Sequence, residues 1–166
     1  NTFKDTVQNI FHGVGKATSD NFEVSGGAFN KSISEGYCAD GFIPTKNADG
    51  TYGVKEGSYI AQVGSKKYET LNDAIRLAAK GKTIQLLTDA TENITIASTK
   101  QITLDLNGKK LTNKASHTTI TNNGTLTVTG GGVVDNITHA KAALSNAVGA
   151  TATLEGGTFK RSQEAG

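Results

Sequence analysis

From residue 101 to residue 160 apolar and polar side chains alternate in short runs. Ile102-Thr103-Leu104-Asp105-Leu106, Thr125-Leu126-Thr127-Val128-Thr129 and Thr151-Ala152-Thr153-Leu154 each carry an apolar residue at every second position. That is the period of a half-buried strand, and the Gly and Asn between the runs leave no room for intervening helices. The runs also repeat: residues 125–133 match residues 151–159 at a spacing of 26. A period in the twenties marks a solenoid, in which each repeat forms one coil stacked on the coil before it. Thr83-Ile84-Gln85-Leu86-Leu87 and Ile94-Thr95-Ile96 extend the alternation upstream, and Asn107-Gly108 supplies a turn. The pattern predicts a mainly β chain whose body, residues 82–160, is a right-handed parallel β-helix.

Two stretches follow a helical period instead. Leu71, Ala74, Ile75 and Ala78 form one stripe; with Thr70 and Asp73 to cap its start, Lys80 on the C-terminal dipole and Gly81 as a left-handed stop, they predict a helix over 70–80. Placed just before the first strand, it would cover an end of the solenoid, where the terminal coil has nothing to stack on. Phe3, Val7, Ile10, Phe11 and Val14 lie on another such face, which predicts a short amphipathic helix in residues 1–20 with Thr2 and Asp5 near its cap. It would cover a β edge or act as a docking arm. Between them, Asn47-Ala48-Asp49-Gly50 signals a turn, with Thr51-Tyr52-Gly53-Val54 as hairpin partner and Tyr59-Ile60-Ala61-Gln62-Val63 beyond. The expected organisation is a helical arm (1–20), an irregular β segment (21–64) and a capped β-helix (65–166), in a chain short enough for one core with an appendage.

A second echo has a longer spacing. Val24-Ser25-Gly26-Gly27-Ala28-Phe29 resembles Leu154-Glu155-Gly156-Gly157-Thr158-Phe159, 130 residues later. Either the pattern is one more coil of a single solenoid, or a module of about 130 residues recurs in tandem. The second alternative yields a specific expectation: Val24, Gly26, Gly27 and Phe29 of one copy stack on Leu154, Gly156, Gly157 and Phe159 of the copy before, head to tail.

Composition narrows the chemistry. The net charge is +2, from 17 basic and 15 acidic residues without runs, which gives no electrostatic case for nucleic acid or an anionic membrane. No apolar run approaches a membrane span, and residues 1–20 lack the form of a signal peptide. Because the sequence begins at Asn1 rather than Met, a piece of a longer chain is expected. The single cysteine, Cys38, forbids an internal disulfide and has no His or Asp motif around it, so an inert thiol is expected.

Catalytic β-helices use clustered carboxylates. Asp89, Glu92, Asp105, Asp135 and Glu155 are candidates. None recurs as a pair at coil spacing; Asp135, placed in a turn beside Asn136, forms with His139 the least implausible site. His12, His117 and His139 are isolated, so neither metal nor cofactor is expected. Gly130-Gly131-Gly132 lacks the Lys and helix of a phosphate loop and reads as a tight corner. The Asn-x-Ser/Thr triplets at Asn30, Asn93, Asn123 and Asn136 are what an Asn- and Thr-rich chain gives by chance. Tyr37, Phe42, Tyr52 and Tyr59 could stack sugars or fill a small satellite core. Thr125, Thr127 and Thr129, continued by Thr151 and Thr153, make an outward Thr array of the kind that orders water in ice-binding solenoids, though it is short and Glu155 breaks it.

Residues 57–113 resemble a module of large secreted or surface-anchored proteins of gut-type Gram-positive bacteria. The residues that carry the likeness are Tyr68-Glu69-Thr70-Leu71 with Ala74-Ile75, Gly81-Lys82-Thr83-Ile84-Gln85-Leu86-Leu87 and Ile102-Thr103-Leu104-Asp105-Leu106-Asn107-Gly108; further rungs end in Gly-Gly-x-Phe. Gly26-Gly27-Ala28-Phe29, Tyr37-Cys38-Ala39-Asp40-Gly41-Phe42 and Asp49-Gly50-Thr51-Tyr52-Gly53-Val54 look like the same family, which extends the likeness to residues 22–160. The resemblance implies a parallel β-helix, an extracellular or cell-surface setting and a non-catalytic structural or adhesive role, with self-association or tandem neighbours as partners. Carbohydrate binding or cleavage is the alternative, with host or bacterial glycans as ligands.

Overall fold

The computed structural model describes residues 2–3, 23–138 and 141–162. Their contacts gather the chain into two units, residues 1–58 and 59–166. In the first, strands β1 (Thr2–Phe3), β2 (Ala28–Phe29), β3 (Phe42–Lys46) and β4 (Tyr52–Glu56) form a sheet ordered β1-β2-β4-β3. β3 and β4 are the hairpin expected around the 47–50 turn, with Phe42 opposite Glu56 and Lys46 opposite Tyr52. Pro44 sits in β3, an edge strand, where its missing N–H costs no ladder bond. Asp49 Oδ1 accepts from the Thr51 amide at 2.9 Å and holds the turn. Val24, Phe29 and Ile33 form a small core, with Tyr37, Cys38 and Val54 packed on it. The helix expected in residues 1–20 lies outside the described residues except at Thr2–Phe3, which pair in parallel with β2.

The second unit is a parallel β-helix. A hairpin, β5 (Ala61–Val63) and β6 (Lys66–Tyr68), leads into helix α1 (Leu71–Leu77) and then into the coils. Three coils carry three strands each: β7 (Lys82–Leu86), β8 (Ala90–Thr91) and β9 (Ile94–Ile96), then β10 (Gln101–Asp105), β11 (Lys110–Thr112) and β12 (Ile120–Asn122), then β13 (Thr125–Thr129), β14 (Val133–Asn136) and β15 (Leu144–Asn146). A fourth coil contributes β16 (Thr151–Leu154) and β17 (Thr158–Arg161). Equivalent strands stack into three sheets: β16-β13-β10-β7-β5-β6, β17-β14-β11-β8 and β15-β12-β9. All coil-to-coil pairs are parallel; the antiparallel pairs of this unit are those of β5 with β6 and with β7, where Ala61 stands opposite Leu86. β5 thus joins the first sheet of the solenoid, beyond the segment 21–64 to which sequence assigned it.

The core is built of columns. Ile84, Leu104, Val128 and Leu154 stand one above another in the first sheet; Leu111, Val134 and Phe159 do so in the second, and Ile94, Ile120 and Leu144 in the third. The 26-residue repeat is realised as the pairing of Thr125 with Thr151. The match does not survive the next corner unshifted. Val133 stands opposite Thr158 and Val134 opposite Phe159, one residue off the ungapped alignment. Pairing Val133 with Phe159 would turn one of them outward, because a one-residue slip exchanges faces; the corner at 130–132 takes up the extra residue.

Helix α1 closes the β5–β7 end. Thr70 accepts from the Asp73 amide at 3.0 Å, as its cap position predicts. Leu71, Ala74, Ile75 and Ala78 join the core of Ile84, Leu86, Ile94 and Ile96. The helix ends at Leu77, short of the expected Lys80, because Ala78 is already extended. The cation at its C-terminus is not Lys80: Lys100, from the first coil, donates to the carbonyls of Arg76 and Ala78 at 2.8 and 2.7 Å.

Candidate functional site

The carboxylates singled out from sequence are dispersed, and most are occupied in holding the backbone. Glu92 accepts from the Leu71 and Asn72 amides at 2.7 and 3.1 Å and from the Asn72 side chain at 2.8 Å, so it anchors the start of α1. Asp89 Oδ1 accepts from the Lys110 amide at 2.8 Å, fixing the second coil to the first. Asp105 points outward as expected, accepting from Gln85 Nε2 at 2.9 Å and from the Asn107 amide at 2.9 Å; Gln62 continues the same ladder onto Gln85 at 2.8 Å. Glu155 is exposed.

Asp135 differs from its expected setting. It lies in β14 rather than in a turn, and its side chain is wholly buried. Ser162 donates to it twice, from the amide at 3.0 Å and from the hydroxyl at 2.8 Å. Lys110 Nζ is 3.5 Å and Lys160 Nζ 3.7 Å from Oδ2. Burial by itself pushes the carboxyl up, but the two Ser162 hydrogen bonds with the charges of Lys160 and Lys110 outweigh it and hold the group below the usual aspartate value. An ionised carboxylate so fastened clamps the last strand. His139, its proposed companion, lies outside the described residues.

Sequence reasoning missed the asparagine corners. Asn113, just after β11, and Asn136, the last residue of β14, hold equivalent positions and are both buried. Asn136 donates to the His117 and Ala142 carbonyls at 2.9 and 3.0 Å, and Asn113 accepts from the Ile137 amide at 2.7 Å. Asn122 replaces an inward apolar residue in the third sheet, pairing with Asn146 at 2.6 Å and with the Thr151 carbonyl at 2.9 Å. The available signal was the Thr-Asn pair recurring at 112–113 and 121–122. Among the described residues no buried side-chain nitrogen or oxygen lacks a partner.

Three surfaces could meet another molecule. On the third sheet a cleft of about 380 Å³ is lined by Asn93, Thr95, His117, Thr121 and Lys141, and a second, of about 590 Å³, by Thr70, Asn72, Glu92 and Lys114. On the first sheet the register adds two residues to the Thr array: Thr83, Thr103, Thr127 and Thr153 form one outward row. Asp105 beside Thr129 gives the neighbouring row a charge before Glu155 is reached. The third surface is the fourth coil. Leu154 is 51 % exposed although the Val128 beneath it is fully buried, and Phe159 is partly covered.

The eight residues expected at an assembly interface thus divide between the units. Leu154, Gly156, Gly157 and Phe159 lie on the fourth coil, whereas Val24 and Phe29 are buried in their own unit's core and Gly26 and Gly27 are exposed. Each tyrosine has its own setting within its unit. Tyr37 packs on the Val24 cluster, Tyr52 lies under Lys46 and Tyr59 under Lys67. Burial, then the charge of Glu35, pushes the Cys38 thiol up. Among the described residues no three His, Cys, Asp or Glu side chains gather as a metal site, and no helix is long and apolar enough to cross a membrane. Comparison with family models, with curated proteins and with solved structures finds no match for the chain.

Proposed function

We propose that the chain is a non-catalytic structural module of a bacterial cell-surface or extracellular protein, a stiff β-helical segment that spaces or joins its neighbours. The observation that carries this is the continuity of the ladder. Three parallel sheets rise through successive coils with the inner columns filled and the outward rows polar, so bending the axis would strain all three sheets at once. The carboxylates support the reading, because Glu92, Asp89, Asp105 and Asp135 serve as backbone anchors. The surface setting rests on the resemblance of residues 22–160 to modules of such proteins.

The alternative is glycan binding, for which the polar cleft around His117 and Lys141 is the candidate surface. A glycan array combined with a reducing-sugar assay tests both. The structural reading expects no retained glycan and no released reducing ends. Retention lost on His117→Ala or Lys141→Glu would move the function to that cleft, and sugar release would make the chain an enzyme.

A further inference from the structure

The parallel pair at the start of the chain is a coil step. β1 meets β2 with Thr2 opposite Ala28 and Phe3 opposite Phe29, the same 26-residue offset at which β13 meets β16, with Thr125 opposite Thr151. A parallel pair so spaced cannot be a hairpin. The strand that β1 supplies also has a familiar sequence: Thr2-Phe3-Lys4 repeats Thr158-Phe159-Lys160. The strand it stacks on is entered by the same corner. Gly27 and Gly157, equivalent in the 130-residue echo, both adopt left-handed φ, at 106° and 82°, which a side chain would oppose. Ala28–Phe29 therefore sits on Thr2–Phe3 as the coil after Thr158–Phe159 would sit on β17. Among the described residues the outer edges of β16 and β17 pair with nothing: β16 meets only β13 and β17 only β14.

We infer that the slot on Ala28–Phe29 is a joint between copies of this chain, filled within a single copy by its own Thr2–Phe3. In the assembled form Thr158–Phe159 of one copy replaces Thr2–Phe3 on β2 of the next. Leu154 then lies under Val24, as Val128 lies under Leu154. The backbone ladder is kept by the exchange, and the gain is burial of the fourth coil's apolar end. The contact joins unlike surfaces, so it does not close on itself and grows a filament. Thr2–Phe3 act as a plug that keeps single copies apart. The inference rests on the structural reading above and names its partner, a second copy.

Removing residues 1–5 from the full chain tests the plug by sedimentation velocity over a range of concentrations. The concentration for half-association is expected to fall by about tenfold or more, with species larger than dimers, and Leu154→Asp in the shortened chain is expected to restore the monomer. A shortened chain that stays monomeric, or associates regardless of Leu154→Asp, overturns the joint. If the shortened chain fails to fold, the full chain decides. With Cys38→Ser, Ala28→Cys and Thr158→Cys are placed within disulfide reach across adjacent strands. A ladder of cross-linked multimers from the pair, against dimers at most from either cysteine alone, supports the joint; its absence overturns it. Sugar release by the full chain would sink the structural reading and leave the joint standing, whereas a monomeric shortened chain does the reverse.

Discussion

The two ends of the β-helix have the same hydrophobic pattern and opposite fates. At the α1 end Leu71, Ala74 and Ile75 lie over the first coil, and Ile84 is fully buried. At the other end Leu154 continues the column of Ile84, Leu104 and Val128, yet it is half exposed. Alternation determines which side chains point inward; only a further layer determines whether they are buried. The largest test of that difference compares two truncations in one column. Leu104→Ala is expected to cost about 2–5 kcal/mol, because the coils above and below hold the cavity open. Leu154→Ala in the monomer is expected to cost less than about 1 kcal/mol, since much of its side chain already meets water. Urea unfolding of both variants measures the gap. Equal losses would mean that another layer covers the fourth coil in solution.

The covered end depends on more than apolar contact. Glu92 and Lys100, both from the first coil, hold opposite termini of α1, a helix of one buried face and only seven residues. So short a helix does not persist by itself. Glu92→Ala is expected to cost about 1–2 kcal/mol by leaving the Leu71 and Asn72 amides without their acceptor, and Lys100→Ala somewhat less. Hydrogen exchange should locate the loss: amides of α1 and β7 should lose protection while those of β16 do not. Uniform loss across the coils would show that the helix and the stack unfold as one and that the ends are not independent.

Much of this was legible because coil geometry turns period into position. The inward residues of β10, β13 and β16, the cap at Thr70 and the turns at 47–50 and 107–108 follow from local chemistry that the tertiary structure does not oppose. What was not legible depends on partners distant in sequence. Nothing near Lys100 announces that it will replace Lys80 at the end of α1, and Asp135 looked like a turn residue because Asn136 follows it. Its burial becomes intelligible only when Ser162, 27 residues on, is in place. The Thr row was half visible: Thr127 and Thr153 share a repeat, but Thr83 and Thr103 enter it only through coils of different length. Strand β1 escaped for the opposite reason. Phe3 fits a helical stripe as well as it fits Thr-Phe-Lys, and two apolar patterns with different periods can share one residue.

The open end has a fastening of its own, and it is the one that pH can loosen. Asp135 takes the Ser162 amide and hydroxyl at the end of β17, as Glu92 takes the amides of α1. Its folded pKa lies below the ordinary aspartate value. The sign follows: above the unfolded pKa, about 4, the clasp contributes in full, and the contribution is lost as pH falls through the folded value. Asp135→Asn keeps an oxygen for the amide but loses the charge that Lys110 and Lys160 face. The expected cost is about 1 kcal/mol at neutral pH. The variant should also be less sensitive to acid. Denaturation midpoints of parent and variant should run parallel from pH 7 to pH 5 and converge below about pH 4, because acid removes from the parent what the substitution has already removed. Other carboxylates titrate in both chains, so the difference between the curves isolates this one. Curves that stay parallel down to pH 2 would mean that Ser162 holds β17 without needing the charge. The open end would then be fastened by neutral hydrogen bonds alone, unlike the carboxylate-capped end opposite.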